Sequence, residues 1–171
     1  MPTVRQAKPS DAEGIAAVQV EAWRAAYRGL LPDDVLDDLM VEEAEQRWRE
    51  RIVNPWGQFF VIEREDEIVG YVACGENRDE DVDDERVGEI YAIYVHPEEW
   101  RRGNGAALVG KAIEQLRADG YEEVILWVLS GNEQAIGFYE RVGFEADGGS
   151  KVKQRADGTQ MDVVRYRQSI E

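Results

Sequence analysis

A chain of 171 residues with 43% hydrophobic content is long enough to bury a substantial core and is read as one domain over residues 1–171. Its 36 acids against 20 bases leave a net charge of −16, which argues against a nucleic-acid partner, because phosphate contacts need a basic face. A single cysteine, Cys74, excludes an intrachain disulfide and a single histidine, His96, argues against a zinc site; no apolar run reaches the length of a membrane span and the first residues carry no apolar signal core, so a cytoplasmic protein with no metal and no membrane partner is expected.

Residues Thr3–Ala7 read as a short first strand. Ser10 followed by Glu13 has the spacing of a capping box, opening a helix whose apolar positions Ile15, Val18, Ala22, Ala25 and Ala26 recur at helical spacing. Arg28-Gly29 ends that helix, and Pro32 suits the first turn of a short one through Leu36 and Leu39. A third helix, Val41 to Val53, carries Ala44, Trp48 and Ile52 on one face before Asn54-Pro55 stops it. Trp23, Tyr27, Trp48 and Trp56 cluster in this first third; packing between helices and the wall of a substrate pocket are both open readings. Strands Gln58–Arg64 and Ile68–Gly75 follow, joined by Glu65-Asp66-Glu67 as a hairpin. The charged run 77–86 is a loop, either a solvated surface or a lid.

The stretch 88–108, GEIYAIYVHPEEWRRGNGAAL, organises the rest. It opens as a strand apolar on both faces, as suits a strand covered on both sides. His96-Pro97 stops it, since proline has no amide for the ladder. A polar turn leads to Gly103-Asn104-Gly105, and Ala106, Leu108, Val109, Ile113 and Leu116 then mark an amphipathic helix that Asp119-Gly120 ends. Strand, glycine-rich turn and helix turn bare amides toward an anion at a helix N-terminus, with Arg101 and Arg102 adding positive charge. A second strand runs over 122–128, a helix over Glu133–Val142, and two last strands, Phe144 to Lys153 and Met161 to Ser169, flank the turn Ala156-Asp157-Gly158. About seven strands with helices interleaved predict an α/β fold with a mixed, mostly antiparallel sheet. Its two central strands are parallel because a helix crosses between them.

The segment NEQAIGFYERVGF (132–144) carries a resemblance. With the preceding turn, the chain resembles the GNAT superfamily of acyl-CoA-dependent N-acetyltransferases, in which a Q/R-x-x-G-x-G/A turn holds the coenzyme A pyrophosphate and a later N-x-x-A-x-x-F-Y-E-x-x-G-F segment completes the site. Asn132, Ala135, Phe138, Tyr139, Glu140, Gly143 and Phe144 match the second motif. In the first, aligning Gly103 and Gly105 puts Trp100 where Gln or Arg is usual; a shifted register, Arg102-x-x-Gly105-x-Ala107, also fits but misplaces the apolar positions of the helix. The two motifs cover about a third of the chain.

The resemblance implies a GNAT-like sheet flanked by helices and splayed between its two central parallel strands. Acetyl-CoA is then the cosubstrate. Its pantetheine arm would pair with backbone groups near Ile93 and Val95, and its pyrophosphate would rest on amides of Arg101, Arg102, Gly103, Asn104, Gly105 and Ala106. Asn132 would bond the arm or brace the splay, or serve only at the helix start. Glu89 aligns with a position often held by a general-base glutamate, and Tyr139 with the usual donor to the leaving thiolate. Cys74 has no recognisable activating base, so direct attack in a ternary complex is expected. The expected activity is acetyl transfer to the primary amine of a small-molecule or amino-acid-like acceptor. A protein N-terminus or lysine as acceptor, and a coenzyme-A-binding module without turnover, are the alternatives. A homodimer is left open.

The charge supports a further expectation. The acids are spread along the whole chain, and the 20 bases include only Lys8, Lys111, Lys151 and Lys153 as lysines. Such a surface resembles that of proteins from a high-salt cytoplasm. Steering of a cationic substrate is the competing reading, and strong salt would screen it.

Overall fold

The computed structural model describes residues 2–82, 85–155 and 157–171. They form a sheet of seven strands in the order β1-β2-β3-β4-β5-β7-β6: β1 (Thr3–Gln6), β2 (Gln58–Arg64), β3 (Glu67–Glu76), β4 (Val87–Val95), β5 (Glu123–Leu129), β6 (Glu145–Gln154) and β7 (Gln160–Ser169). Only β4 and β5 pair in parallel. The mixed, splayed α/β sheet predicted from sequence is therefore present. Helices α1 (Ala12–Ala26) and α3 (Val41–Val53) cover one face, with α2 (Asp33–Asp37) beside them; α4 (Asn104–Ala118) and α5 (Glu133–Arg141) cover the other.

The two faces follow from side-chain periodicity. Leu108, Val109, Ala112 and Leu116 recur on one stripe of α4 and bury against Phe60, Val72, Ile90 and Leu126. On the opposite face, Ile15, Val18 and Trp48 pack over Phe59, Val61 and Tyr71. At about 25 cal/mol per Å² of apolar surface, each fully buried Leu or Ile contributes about 1.5–3 kcal/mol, so both layers are needed to hold the sheet.

One irregularity positions the site. Ala73 pairs with Ala92, but Cys74 pairs with Ile90, so Tyr91 is an extra residue in β4. This bulge changes the side-chain alternation: Ile90, Ile93 and Val95 face α4, whereas Tyr91, Ala92 and Tyr94 face α1. At the same point the parallel ladder ends. Val87 to Ile90 pair with Glu123 to Leu126; beyond them β4 pairs only with β3, and Trp127 to Leu129 pair only with β7. The two central strands thus part just past the bulge.

Several local expectations change. The Ser10–Glu13 box does not form. Asp11 instead accepts from the Lys8 amide (2.8 Å) and from Arg5 (2.8 and 2.9 Å), closing a 3₁₀ turn over Pro9–Asp11 before α1 begins at Ala12. An ion pair with β1 wins over a serine cap. The β2–β3 connection is two residues, Glu65 and Asp66, both with positive φ (52° and 66°), and Glu67 already pairs with Arg64. The run 77–82 is neither loose nor fully solvated. The Asp79 carboxylate accepts from Trp127 Nε1 (2.9 Å) and Arg165 (3.1 Å), which pins the loop to β5 and β7. Asp83 and Asp84 of that run, and Ala156 of the last turn, lie outside the described residues.

Candidate active site

The turn between β4 and α4 is braced by two side chains. Trp100 Nε1 donates to the Val95 carbonyl (2.7 Å), and Asn104 Nδ2 donates to the Glu99 carbonyl (3.0 Å). Between these braces Arg101 (φ 64°) and Gly103 (φ 83°) take left-handed conformations, which curl successive amides into a concave surface. A Cβ on Gly103 would meet nothing within 4 Å, so glycine there answers to the backbone angle alone. Gly105 has a different reason. A Cβ there would stand 3.0 Å from the Phe138 ring, so the missing side chain lets α5 close onto the start of α4. The first amides of α4 have no partner within the helix, and Gly103, Gly105 and Ala106 line the adjoining cavity.

That cavity, about 1280 Å³, passes through the parting of β4 and β5. His96 N–H donates to Val69 O (2.8 Å), so by the alternation of an antiparallel ladder Tyr94 and Ala92 turn their backbone groups to β3, whereas Ile93 and Val95 turn theirs into the gap. The Val95 carbonyl is already taken by Trp100. A ligand arm laid along β4 would find the Ile93 groups and the Val95 N–H open.

The end of the cavity toward α1 and α3 is walled by aromatic rings. Trp23 meets Tyr27 edge-on at 5.0 Å, Trp48 meets Tyr71 at 4.9 Å, and Trp56 lies 5.0 Å from Tyr91. The Tyr27 and Tyr94 hydroxyls share a 2.8 Å hydrogen bond. These rings pack between elements and also line the cavity.

The predicted site residues divide by position. Ile93, Val95, Arg101, Gly103, Gly105, Ala106, Asn132 and Tyr139 all line the cavity; Glu89, Arg102 and Asn104 do not. Asn104 is buried beneath the turn as its brace. Arg102 is exposed and lies 3.5 Å from Glu99. Asn132 caps α5, its Oδ1 accepting from Ala135 N–H (3.2 Å). Glu89 is only 3% exposed and accepts from the Arg78 amide (3.0 Å) and guanidinium (3.2 Å). It is Arg78, stacked 4.0 Å over Tyr91, that reaches the cavity. Tyr139 is buried among Phe138 and Phe144, makes no hydrogen bond to a described residue, and burial pushes its hydroxyl well above the usual tyrosine range. Burial likewise pushes the Cys74 thiol up to about 12, which leaves it inert as a nucleophile at neutral pH. Sequence reasoning missed Trp100 as the brace of the turn and missed Arg51, Arg78 and Lys153 around the aromatic end. No spacing pattern marks residues that meet only through the fold.

Residues 20–144 match the acetyltransferase (GNAT) family. The chain belongs to that family. It is 36% identical over 140 residues to the uncharacterised N-acetyltransferase YuaI of Bacillus subtilis (strain 168), covering 82% of this chain and 78% of that one. It is 34% identical over 125 residues to a mycothiol acetyltransferase of Thermobispora bispora, covering 72% of this chain but only 42% of that protein. Its fold matches the PaiA N-acetyltransferase of Thermoplasma acidophilum, crystallised with coenzyme A, with a TM-score of 0.77, 18% identity and 99% of each chain covered. This GNAT protein is thus an acyl-CoA-dependent N-acetyltransferase that uses acetyl-CoA. Among the described residues no cluster of three or more His, Cys, Asp or Glu side chains could hold a metal ion, and no helix is long and apolar enough to cross a membrane.

Proposed function

We propose that this GNAT domain moves an acetyl group from acetyl-CoA to the primary amine of a small, amino-acid-like acceptor by direct attack. The observation that carries the reading is the parted strand pair: a cavity with open β4 backbone groups and the helix N-terminus on one side and an aromatic chamber on the other. Acetyl-CoA supplies the acetyl group as an activated thioester. The open Ile93 groups and the Val95 N–H hold the pantetheine amides as an added strand would, and the amides of 103–106, with Arg101 and Arg102 beside them, hold the pyrophosphate.

In the reaction the amine nitrogen forms a bond to the acetyl carbon, the carbon–sulfur bond breaks, and the amine loses a proton. For an alkylamine with a pKa near 10.4, reaching the neutral form at pH 7 costs about 4.6 kcal/mol. Glu89 accepts that proton through water, since Arg78 and not Glu89 reaches the cavity. Tyr139 donates a hydrogen bond to the departing sulfur. Its raised pKa keeps it protonated at every working pH, so it is always available as a donor, and a thiolate of pKa ~8.5 leaves readily once so stabilised. The −16 charge fits a protein that works in a high-salt cytoplasm.

An amine-panel assay with thiol detection, run at molar KCl, tests the reading. Amine-dependent thiol release is expected. Acetyl-CoA binding with no release from any amine would reduce the chain to a coenzyme-A-binding module.

A further inference from the structure

The aromatic end of the cavity is cationic in a strongly acidic protein. Arg51, in the last turn of α3, is half-buried over Trp48 (5.0 Å) and Trp56 (6.0 Å), and among the described residues it has no carboxylate partner. Lys153, from β6, also lines this end without a salt bridge among the described residues. Burial is the largest cause pushing the Arg51 and Lys153 pKa values down; Arg47 and Arg78 add to it at Arg51, and Lys151 and Arg78 at Lys153. The two carboxylates that act on these cations are already engaged: Glu89 by Arg78, and Asp79 by Arg165 (3.1 Å) and Lys151 (3.9 Å). The carboxylates that line the cavity lie elsewhere. Glu99 pairs with Arg64 (3.1 Å) at the glycine turn, and Glu133 is exposed at the start of α5.

Other arginines in this chain find acids easily, as Arg28 does with Asp33 and Asp37. With 16 more acids than bases available, two partly buried cations without carboxylates are an arrangement with a cost. Stacking on indole offsets only part of it. A second observation points the same way. Tyr71 is 2% exposed and lines the cavity, interacts electrostatically with Arg51, and has a buried hydroxyl with no hydrogen-bond partner among the described residues. Buried polar groups of this kind are normally satisfied, and this one lines the cavity, where a ligand group has access to it.

We infer that the acceptor is an amine that also carries a carboxylate and an apolar body, and that Arg51, Arg78, Lys153 and the Tyr71 hydroxyl read the carboxylate while the indole and phenol rings hold the apolar part. This rests on the acetyl-transfer reading above and narrows its substrate class to amino acids with apolar side chains. A peptide N-terminus or a protein lysine lacks the free α-carboxylate that this reading requires of the acceptor.

The test uses the full chain and probes that need no turnover. N-acetyl amino acids spanning apolar, aromatic and polar side chains, each beside its uncharged primary amide, are titrated in the presence of coenzyme A, with tryptophan fluorescence and calorimetry as readouts. Acetyl-CoA affinity is measured first in every sample. At least one apolar acid is expected to bind tenfold or more tighter than its amide. R51M and K153M should each weaken the acid by at least threefold and leave the amide unmoved, and R51K should restore much of the loss. Equal binding of acid and amide, binding of neither, or a loss that strikes both alike in R51M overturns the inference while acetyl-CoA still binds. Failure of acetyl-CoA to bind the wild-type chain would instead remove the acetyl-transfer reading itself.

Discussion

The two ends of the cavity are built in opposite ways. At the glycine turn the groups that line it come from main chain: left-handed Arg101 and Gly103, the first amides of α4, and the β4 backbone bared where β5 departs. At the aromatic end they come from side chains contributed by α1, α3, β3, the 77–82 loop and β6. Main-chain recognition tolerates many side chains, so it can serve one coenzyme across a family. Side-chain recognition changes with single substitutions, so it can serve one acceptor. The same cavity therefore joins a general half to a particular half.

Substitutions that separate the halves test this division. The largest expected effect belongs to Tyr139→Phe, which should lower kcat by about 10²–10⁴ with acetyl-CoA affinity nearly intact. Because burial holds the Tyr139 hydroxyl above its usual range, its ionisation should cause no alkaline fall in the wild-type rate up to about pH 10. Lost melting temperature with unchanged turnover per folded molecule would make Tyr139 a packing residue only. Next comes Glu89→Gln. Its rate should fall by about 10² at low pH, where the amine is protonated, and recover as pH approaches the amine's own pKa; a uniform loss at all pH values would speak for a structural role beneath Arg78.

A smaller effect is expected at the turn. Gly103→Glu forces a side chain into a left-handed conformation at about 1–2 kcal/mol and sets a negative charge beside the amides, so acetyl-CoA should bind about tenfold more weakly or worse while the fold survives. Calorimetry with circular dichroism checks it, and undiminished affinity would move the pyrophosphate elsewhere. The smallest effect is on stability. Molar KCl should screen repulsion among the surface acids and raise the thermal midpoint by a few degrees, about 2–4 °C for each kcal/mol gained. The same salt should weaken the carboxylate-reading end. A flat or falling midpoint would sink the high-salt expectation.

The general half was legible in the sequence because its parts are contiguous. Strand, His96-Pro97 stop, Gly103-Asn104-Gly105 and the α4 stripe lie within one run, and the second motif names α5. The parallel pairing of β4 and β5 followed from the helix between them. Of the particular half, only the rings of Trp23, Tyr27, Trp48 and Trp56 were marked in the sequence. Arg51 and Lys153 are about a hundred positions apart, and Tyr71 reads as an ordinary strand residue until the fold leaves its hydroxyl without a partner among the described residues. The Ser10 box misled for a more local reason: the pair between Arg5 of β1 and Asp11 decided the start of α1. The bulge at Tyr91, which turns Tyr94 toward α1 and Ile93 toward α4, leaves no mark in a run that is apolar on both faces.

Amide hydrogen exchange with and without coenzyme A tests the division most directly. New protection is expected at Ile93, Val95 and residues 103–106, with none at 48–56 or Tyr71 until a carboxylate-bearing ligand is added. Protection at 48–56 from the coenzyme alone, or none at 93–95 and 103–106, would contradict it.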